Sequence, residues 1–384
     1  MQIPRITLFA VLTLLFLSCS KQAVQKGGLP ALNQGITRTW IGPEYWTNPL
    51  MNWQLSDGRL ECIHGGWVNE LHSLTHQVKE EVGSFKLEVT LGKLERTGVQ
   101  IDQEIFGGFK IAALGHRNDY RSNILHDMAS AHGEELQQIA PVMVGITSKG
   151  RLVIDSAAAD SAFTSDELES LHLRVEANHK QGNIHLLLVA TADSGSTARL
   201  EADLLRESLT GNVALACHPL ERPIRRRHDH SDPDHITFWF SDWKISGDKI
   251  SANPDQTYGP ILWSQYTVQN RILKLLAFIV PMEAEASESA EFQIQDGSGW
   301  STVATADIEP LSLTAAFRVE DWDNSKDRNY RVTYPWTSAQ GNELATWSGI
   351  IRKNPVHKES IVLAGVSCSN PELFPDRFLV SNLI

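Results

Sequence analysis

The sequence has few cysteines, a shortage of positive charge and no apolar run long enough to span a membrane. Its four cysteines lie far apart in 384 residues, which excludes CxxC zinc spacing and a dense disulfide framework. Lysine and arginine number 34 against 46 aspartates and glutamates, a formal net charge of −12, so general nucleic-acid binding is disfavoured. The apolar run at 6–17 is shorter than the roughly 20 residues that an ordinary transmembrane helix needs. Apolar residues make up 42% and charged residues 21%, as in a globular protein of two or three domains.

The N-terminus has the features of an export signal. Arg5 precedes the apolar run, and the tetrapeptide FLSC at 16–19 follows it. This tetrapeptide resembles a bacterial lipobox, which implies acylation of Cys19 and attachment to a membrane surface through a lipid anchor. We therefore predict a lipoprotein signal peptide at 1–18, a polar tether at 19–35 and a location in the bacterial cell envelope. The alternative is a plain secretory signal in which Cys19 is incidental.

Helical periodicity is scarce after the tether, and short alternating runs of polar and apolar residues dominate residues 36–250. Such runs bury one face of a strand and leave the other in water, and many of them without helices favour a sandwich or barrel. The opening segment at 53–60, the middle segment at 171–177 and the closing segment at 238–247 resemble a concanavalin A-like (laminin G-like) jelly roll. This resemblance predicts a mainly β domain over 36–250.

Four tryptophans in the first part of this domain have two interpretations. Indole faces stack on the apolar faces of sugar rings, so they predict a glycan-binding surface; alternatively they pack in the core. No Glu-x-Asp-x-x-Glu signature is present, and a retaining glycosidase needs two carboxyls about 5 Å apart, so the domain is predicted to be non-hydrolytic. The four are Trp40, Trp46, Trp53 and Trp67.

Two further features of this domain leave alternatives open. The histidine- and aspartate-rich loop at 225–235 is either a divalent-metal site or a solvated connection between strands. Cys62 and Cys217 either form a disulfide, which export would permit, or remain thiols.

Residues 252–352 predict a second, smaller β domain. Proline and glycine break the chain near 253–260, and six or seven short strands follow, among them 272–280 and 328–334. This pattern suits an immunoglobulin-like or fibronectin type III-like sandwich, and the segment 330–334 (YRVTY) looks like the tyrosine region of strand F. The acidic segment 321–327 lacks the glycine and the glutamate of an EF-hand, so we interpret it as a solvated loop.

Residues 353–384 begin a different pattern. A continuous apolar run at 360–368 ends in small residues, as a central strand of a parallel sheet does, and helical spacing follows it. One βα unit of about 30 residues is too small to be a domain. Either this strand pairs with the preceding sheet or the chain is a fragment of a longer protein, and we favour the fragment.

The second β domain, followed by a strand that ends in Val366-Ser367-Cys368-Ser369, resembles the start of the PhoD-like alkaline phosphatases and phosphodiesterases. The resemblance implies a metallophosphoesterase domain beginning at 353, iron and calcium as cofactors of the complete enzyme, and a phosphate ester as substrate. It also implies that the thiolate of Cys368 is an iron ligand, and no further ligand can be assigned.

Two hypotheses follow. The first is the N-terminal fragment of an exported PhoD-like metal-dependent phosphohydrolase, inactive by itself because it lacks most of the active site. The second is a surface-anchored carbohydrate-binding lipoprotein without enzymatic activity.

Overall fold

The computed structural model describes residues 29–47, 49–64, 69–94, 104–113, 141–180, 182–204, 209–220 and 237–362. Strands dominate these ranges, and the only helical pieces within them are single 3-10 turns at Leu50–Asn52 and Glu167–Glu169. The predicted mainly β fold is therefore confirmed. In this part of the chain no helix is long and apolar enough to cross a membrane.

The first part of the chain forms two antiparallel sheets. Their strands are β1 (Thr37–Arg38), β2 (Tyr45–Thr47), β3 (Trp53–Ser56), β4 (Arg59–Cys62), β5 (Glu70–Val78), β6 (Ser84–Leu94), β7 (Ile105–Ala113), β8 (Val142–Thr147), β9 (Arg151–Ile154), β10 (Ala157–Ser161), β11 (Leu171–Lys180), β12 (Asn183–Ala192), β13 (Thr197–Leu204), β14 (Gly211–Pro219), β15 (Thr237–Ser246) and β16 (Ile250–Ala252). Sheet A has the order β1-β3-β4-β15-β6-β11-β12-β13. Sheet B has the order β10-β9-β8-β7-β14-β5-β16, with β2 paired to β5.

The two sheets share one core. Successive side chains of a strand point to opposite faces of its sheet, so every second side chain enters this core. In β6, Phe85, Leu87 and Val89 point inward, while the intervening Lys86 and Glu88 face outward. This is the period-two pattern that the sequence predicts. Sheets A and B therefore form a sandwich, here called the first sandwich; its assignment as a concanavalin A-like jelly roll stays a prediction.

Cys62 and Cys217 are not a disulfide. Cys62 ends β4 in sheet A, Cys217 lies on β14 in sheet B, and both are buried thiols. The Cys62 thiol donates a hydrogen bond to the carbonyl oxygen of His64, with 3.4 Å between sulfur and oxygen. Of the two alternatives, pairing is therefore wrong, and these cysteines belong to the core.

Residues 261–351 form a seven-stranded antiparallel sheet with a core of its own, and this unit is called the second sandwich below. Its strands are β17 (Ile261–Gln269), β18 (Ile272–Ile279), β19 (Ser289–Asp296), β20 (Gly299–Glu309), β21 (Thr314–Val319), β22 (Arg328–Ser338) and β23 (Gly341–Ile351), in the antiparallel order β17-β18-β21-β20-β19-β22-β23. Phe292, Tyr330 and Val332 lie in its core. The immunoglobulin or fibronectin type III name for this unit stays a prediction, as does the name of the following domain.

The segment between β1 and β2 joins the two sandwiches. Trp40 belongs to the second core although it precedes that sandwich by more than 200 residues, and its ring meets Trp336 at 5.3 Å between centroids. Arg38 forms a buried ion pair with Glu283 at 3.4 Å and lies over both indole rings. Gly259 has φ +75°, and a Cβ there would lie 3.1 Å from the Trp40 ring, so a glycine is needed at this close approach.

Several predicted features lie outside the described residues. These are the signal peptide, the first ten residues of the tether with Cys19 among them, Trp67, the loop at 225–235 and Cys368. Of the predicted strand at 360–368, only 360–362 are described, and they form no strand.

Candidate functional site

The outer face of sheet B is unusual because it is as buried as the core face. Along β5 and β14 nearly every residue is buried, whereas strands of sheet A alternate between buried and accessible residues. Leu71, Phe109 and Leu215 fill the core side, so their neighbours Glu70, Lys110 and others point away from the core. We call this surface the sheet B outer face, and it carries charged, aromatic and very small side chains.

One row of this face crosses five strands. Strand pairing places Trp46 beside His72, His72 beside Ala214, Ala214 beside Lys110 and Lys110 beside Met143. Side chains that are paired in this way lie on the same side of a sheet, about 5 Å from one another. The row therefore joins a half-buried tryptophan at the edge to two titratable groups at the centre.

A buried ion network lies at the centre of the face. The ammonium group of Lys110 forms a short hydrogen bond to one carboxylate oxygen of Glu70, and His72 Nε2 lies 3.2 Å from the other. Burial would raise the pKa of Glu70, but the charge of Lys110 and the contacts with His72 outweigh it and lower the pKa to about 2. Glu70 is therefore an anion held in a fixed position, and Lys110 neutralises its charge.

The neighbouring rows provide small and aromatic groups. Gly108 pairs with Ala216 on one side and with Gly145 on the other. These three small residues form a flat patch of the sheet surface, here called the floor. The ring of Phe106 lies over this floor, since a Cβ on Gly145 would come within 2.9 Å of its Cζ atom. Phe106 in turn stacks on the half-buried ring of His218 at 5.7 Å between centroids.

The predicted tryptophans have different positions. Trp46 lies on the sheet B outer face and meets Tyr258 edge-on at 5.1 Å. Trp40 and Trp53 are fully buried, the first in the second core and the second in the first core near Phe240, so the core interpretation is correct for both. Their enclosed rings offer no surface for sugar stacking. Trp67 lies outside the described residues.

Sequence reasoning missed Glu70, His72 and Lys110. The available signal was the placement of Glu70, His72 and His76 at positions two or four residues apart along one strand, which puts them on the same face of the sheet. The partner of Glu70 lies 40 residues later on β7, and strand pairing through β14 brings the two together. No local pattern contains that information.

The described residues contain no group of three or more side chains suited to a metal ion. Asp323, in the acidic segment at 321–327, instead accepts hydrogen bonds from Ser325 and forms an ion pair with Arg328. Cys368, the iron ligand that the resemblance implies, lies outside the described residues.

No family model and no curated protein matches the chain. Solved structures with similarity to it include a Griffonia simplicifolia lectin in its metal-free form, with 10% identity, a TM-score of 0.35 and coverage of 53% of this chain and 92% of the lectin. A Lotus tetragonolobus seed lectin has 10% identity, a TM-score of 0.36 and coverage of 58% and 96%. A PL-14 alginate lyase from Aplysia kurodai has 9% identity, a TM-score of 0.31 and coverage of 49% and 81%. Similarity at this level carries no argument about function.

Proposed function

We propose that the chain is a non-catalytic glycan-binding protein whose ligand contacts the sheet B outer face. The observation that carries the proposal is the row from Trp46 to Lys110, in which a half-buried indole and a fixed, buried ion network share one face. Sugars present apolar ring faces beside hydroxyl groups. A site that recognises them needs an aromatic surface in a fixed position; Trp46 supplies the aromatic ring, and the buried network of Glu70, His72 and Lys110 holds the neighbouring strands in place.

The ligand is expected to be neutral. Glu70 and Lys110 compensate each other, so the centre of the face has no excess positive charge for an acidic sugar. The chain as a whole carries −12 and repels polyanions at low ionic strength. Trp46, Met143 and His218 are the half-buried groups through which a ligand reaches the face, and the buried network fixes the groups beneath.

The test is affinity electrophoresis and calorimetry with hydroxyethylcellulose and mannan as neutral probes and polygalacturonate as an anionic probe. We expect a neutral probe to bind and Trp46→Ala to weaken binding about tenfold, because stacking and apolar contact are lost. Trp263→Ala is the matched control: this indole is 44% exposed in the second sandwich and stacks on Phe278. Binding of polygalacturonate alone, or equal effects of the two variants, contradicts the proposal.

Export and lipid attachment at Cys19 remain proposals that rest on the sequence at 1–19. Labelling with palmitate tests them. Label that is present in the wild-type protein and absent from Cys19→Ala supports acylation, and equal labelling of both contradicts it.

A PhoD-like phosphohydrolase activity of a longer protein is the second proposal. Its support is the position of Val366-Ser367-Cys368 after a seven-stranded sheet whose last strand ends at Ile351. The test is metal-dependent hydrolysis of bis-p-nitrophenyl phosphate by the complete gene product. Cys368→Ala should lower both bound iron and turnover, and turnover that is unchanged in this variant contradicts the assignment.

A further inference from the structure

A second polar and aromatic platform lies on the second sandwich, far in sequence from the sheet B outer face. Four neighbouring strands, β20, β19, β22 and β23, place two rows of side chains on the side away from the core. The first row is Trp300, Gln295, Asn329 and Ile350, and the second is Thr302, Gln293, Arg331 and Ser348. We call these eight residues the amide platform.

Hydrogen bonds hold the amide platform in one arrangement. Arg331 Nε donates to Gln293 Oε1 at 2.7 Å, and Gln293 Nε2 donates to Thr302 Oγ1 at 3.2 Å and to Glu291 at 2.8 Å. In the other row, Asn329 Nδ2 donates to Gln295 Oε1 at 2.8 Å. Side chains that are already ordered lose little conformational entropy when a ligand binds.

Trp300 is fixed at one end of the platform. The guanidinium carbon of Arg331 lies 4.6 Å from the centre of its ring, a cation–π contact, and the indole remains half-buried rather than enclosed. Ile350 lies at the opposite end and is exposed. Three strand spacings of about 4.8 Å separate the two, so the platform is about 14 Å wide, the span of a short oligosaccharide.

The composition of the platform is unusual for a strand surface whose only task is stability. Asparagine is depleted in strands, where β-branched residues pair better, yet the centre of this surface consists of an asparagine, two glutamines and an arginine. Amides offer donors and acceptors side by side, as a chain of sugar hydroxyls requires. Arg331 is the only charged side chain among the eight residues, and the carboxylate of Glu291 lies beside the platform.

We infer that the amide platform binds a linear neutral polysaccharide, with the sugar chain lying across the strands between Trp300 and Ile350. The apolar ring faces contact Trp300 and Ile350, and the hydroxyl groups exchange hydrogen bonds with Gln293, Gln295 and Asn329. The site is separate from the sheet B outer face, so the chain would hold one polysaccharide at two places and gain avidity.

The test uses the full chain and the same hydroxyethylcellulose, mannan and polygalacturonate probes. Trp300→Ala should weaken binding of the neutral probe at least fivefold, and Gln293→Ala should weaken it in the same direction. Trp263→Ala again serves as the matched tryptophan control. A thermal melt of each variant identifies loss of folding, and Trp300→Phe, which keeps an aromatic face, should retain most of the affinity.

Separate variants distinguish this inference from the proposed function. If Trp46→Ala weakens binding while Trp300→Ala and Gln293→Ala do not, the platform inference is overturned and the sheet B proposal stands. If the platform variants weaken binding and Trp46→Ala does not, the sheet B proposal is overturned and the platform inference stands. Failure of the wild-type chain to bind either neutral probe, or binding of polygalacturonate alone, overturns both.

Discussion

At the scale of single residues, the Glu70–Lys110 pair is a buried ion pair of the first sandwich whose burial has a high desolvation cost. Both side chains are removed from water, and desolvation of an ion pair offsets most of the attraction between its members. The pair is therefore a weak source of net stability, but removal of one member leaves an uncompensated buried charge.

We predict that Lys110→Met lowers the free energy of unfolding by about 3–5 kcal/mol, because Glu70 is left as a buried anion. The double variant Glu70→Gln/Lys110→Met should recover most of this loss. Urea denaturation of both variants checks the prediction. Equal destabilisation by the single and double variants would mean that packing rather than charge explains the effect.

A pH dependence follows from the same pair. The pKa of Glu70 is lowered to about 2, so the native state prefers the carboxylate, and this stability is present above the ordinary value of 4.5. It is lost as the pH falls from about 4.5 towards 2. Between these limits the wild-type protein should lose stability more steeply than Glu70→Gln/Lys110→Met, as denaturation at several pH values would show; parallel curves would contradict the assignment.

At the scale of elements, the alternation of polar and apolar residues predicts where strands lie in the sequence. It does not predict which distant strands and side chains pack against them. The predicted strand at 272–280 corresponds to β18 (Ile272–Ile279), because period-two burial is a local property. The position of Trp40 could not be predicted, since its surroundings form from residues near 260, 280 and 336. The amide platform was missed for the same reason: β19 and β22 supply its centre from positions more than 30 residues apart.

Trp40 gives a prediction for the segment between β1 and β2. Replacing it by alanine removes a fully buried indole from the second core, and such losses cost about 3–5 kcal/mol. Trp40→Ala should therefore lower the melting temperature of the second sandwich although the mutation lies outside residues 261–351. Near-ultraviolet circular dichroism during heating would measure this melting temperature. A melting temperature equal to that of the wild-type protein would show that the Trp40 ring does not stabilise the second core.

At the scale of the whole molecule, residues 33–40 form a junction between the two sandwiches. Asn33 donates to the carbonyl oxygen of Thr337 at 3.0 Å, Trp40 donates its backbone N–H to Pro281 at 3.2 Å, and Arg38 pairs with Glu283. These contacts connect the beginning of the described chain to the loop between β18 and β19 and to β22. The junction also forms one wall of a cleft lined by Arg38, Glu44 and Glu343.

We predict that the wild-type chain unfolds in one calorimetric transition and that Arg38→Met produces two. The substitution removes the charge that compensates Glu283 and the cation over both indole rings, so coupling between the sandwiches weakens. Arg174→Met, on the accessible face of sheet A, is the matched control and should keep a single transition. Two transitions in the wild-type protein would show that the junction does not couple folding.

The junction also determines how the molecule carries mechanical load. The chain passes from Asn33 to Trp40 against the second sandwich before it builds most of the first. A force between residue 29 and residue 362 would therefore run through Arg38 at the end of β1, through Trp40 and through their partners, and it would largely bypass the strands of the first sandwich that follow β1. If the N-terminus is tethered to a surface and the other end is pulled, the contacts of the junction break first. The first sandwich then stays folded while the junction carries the force.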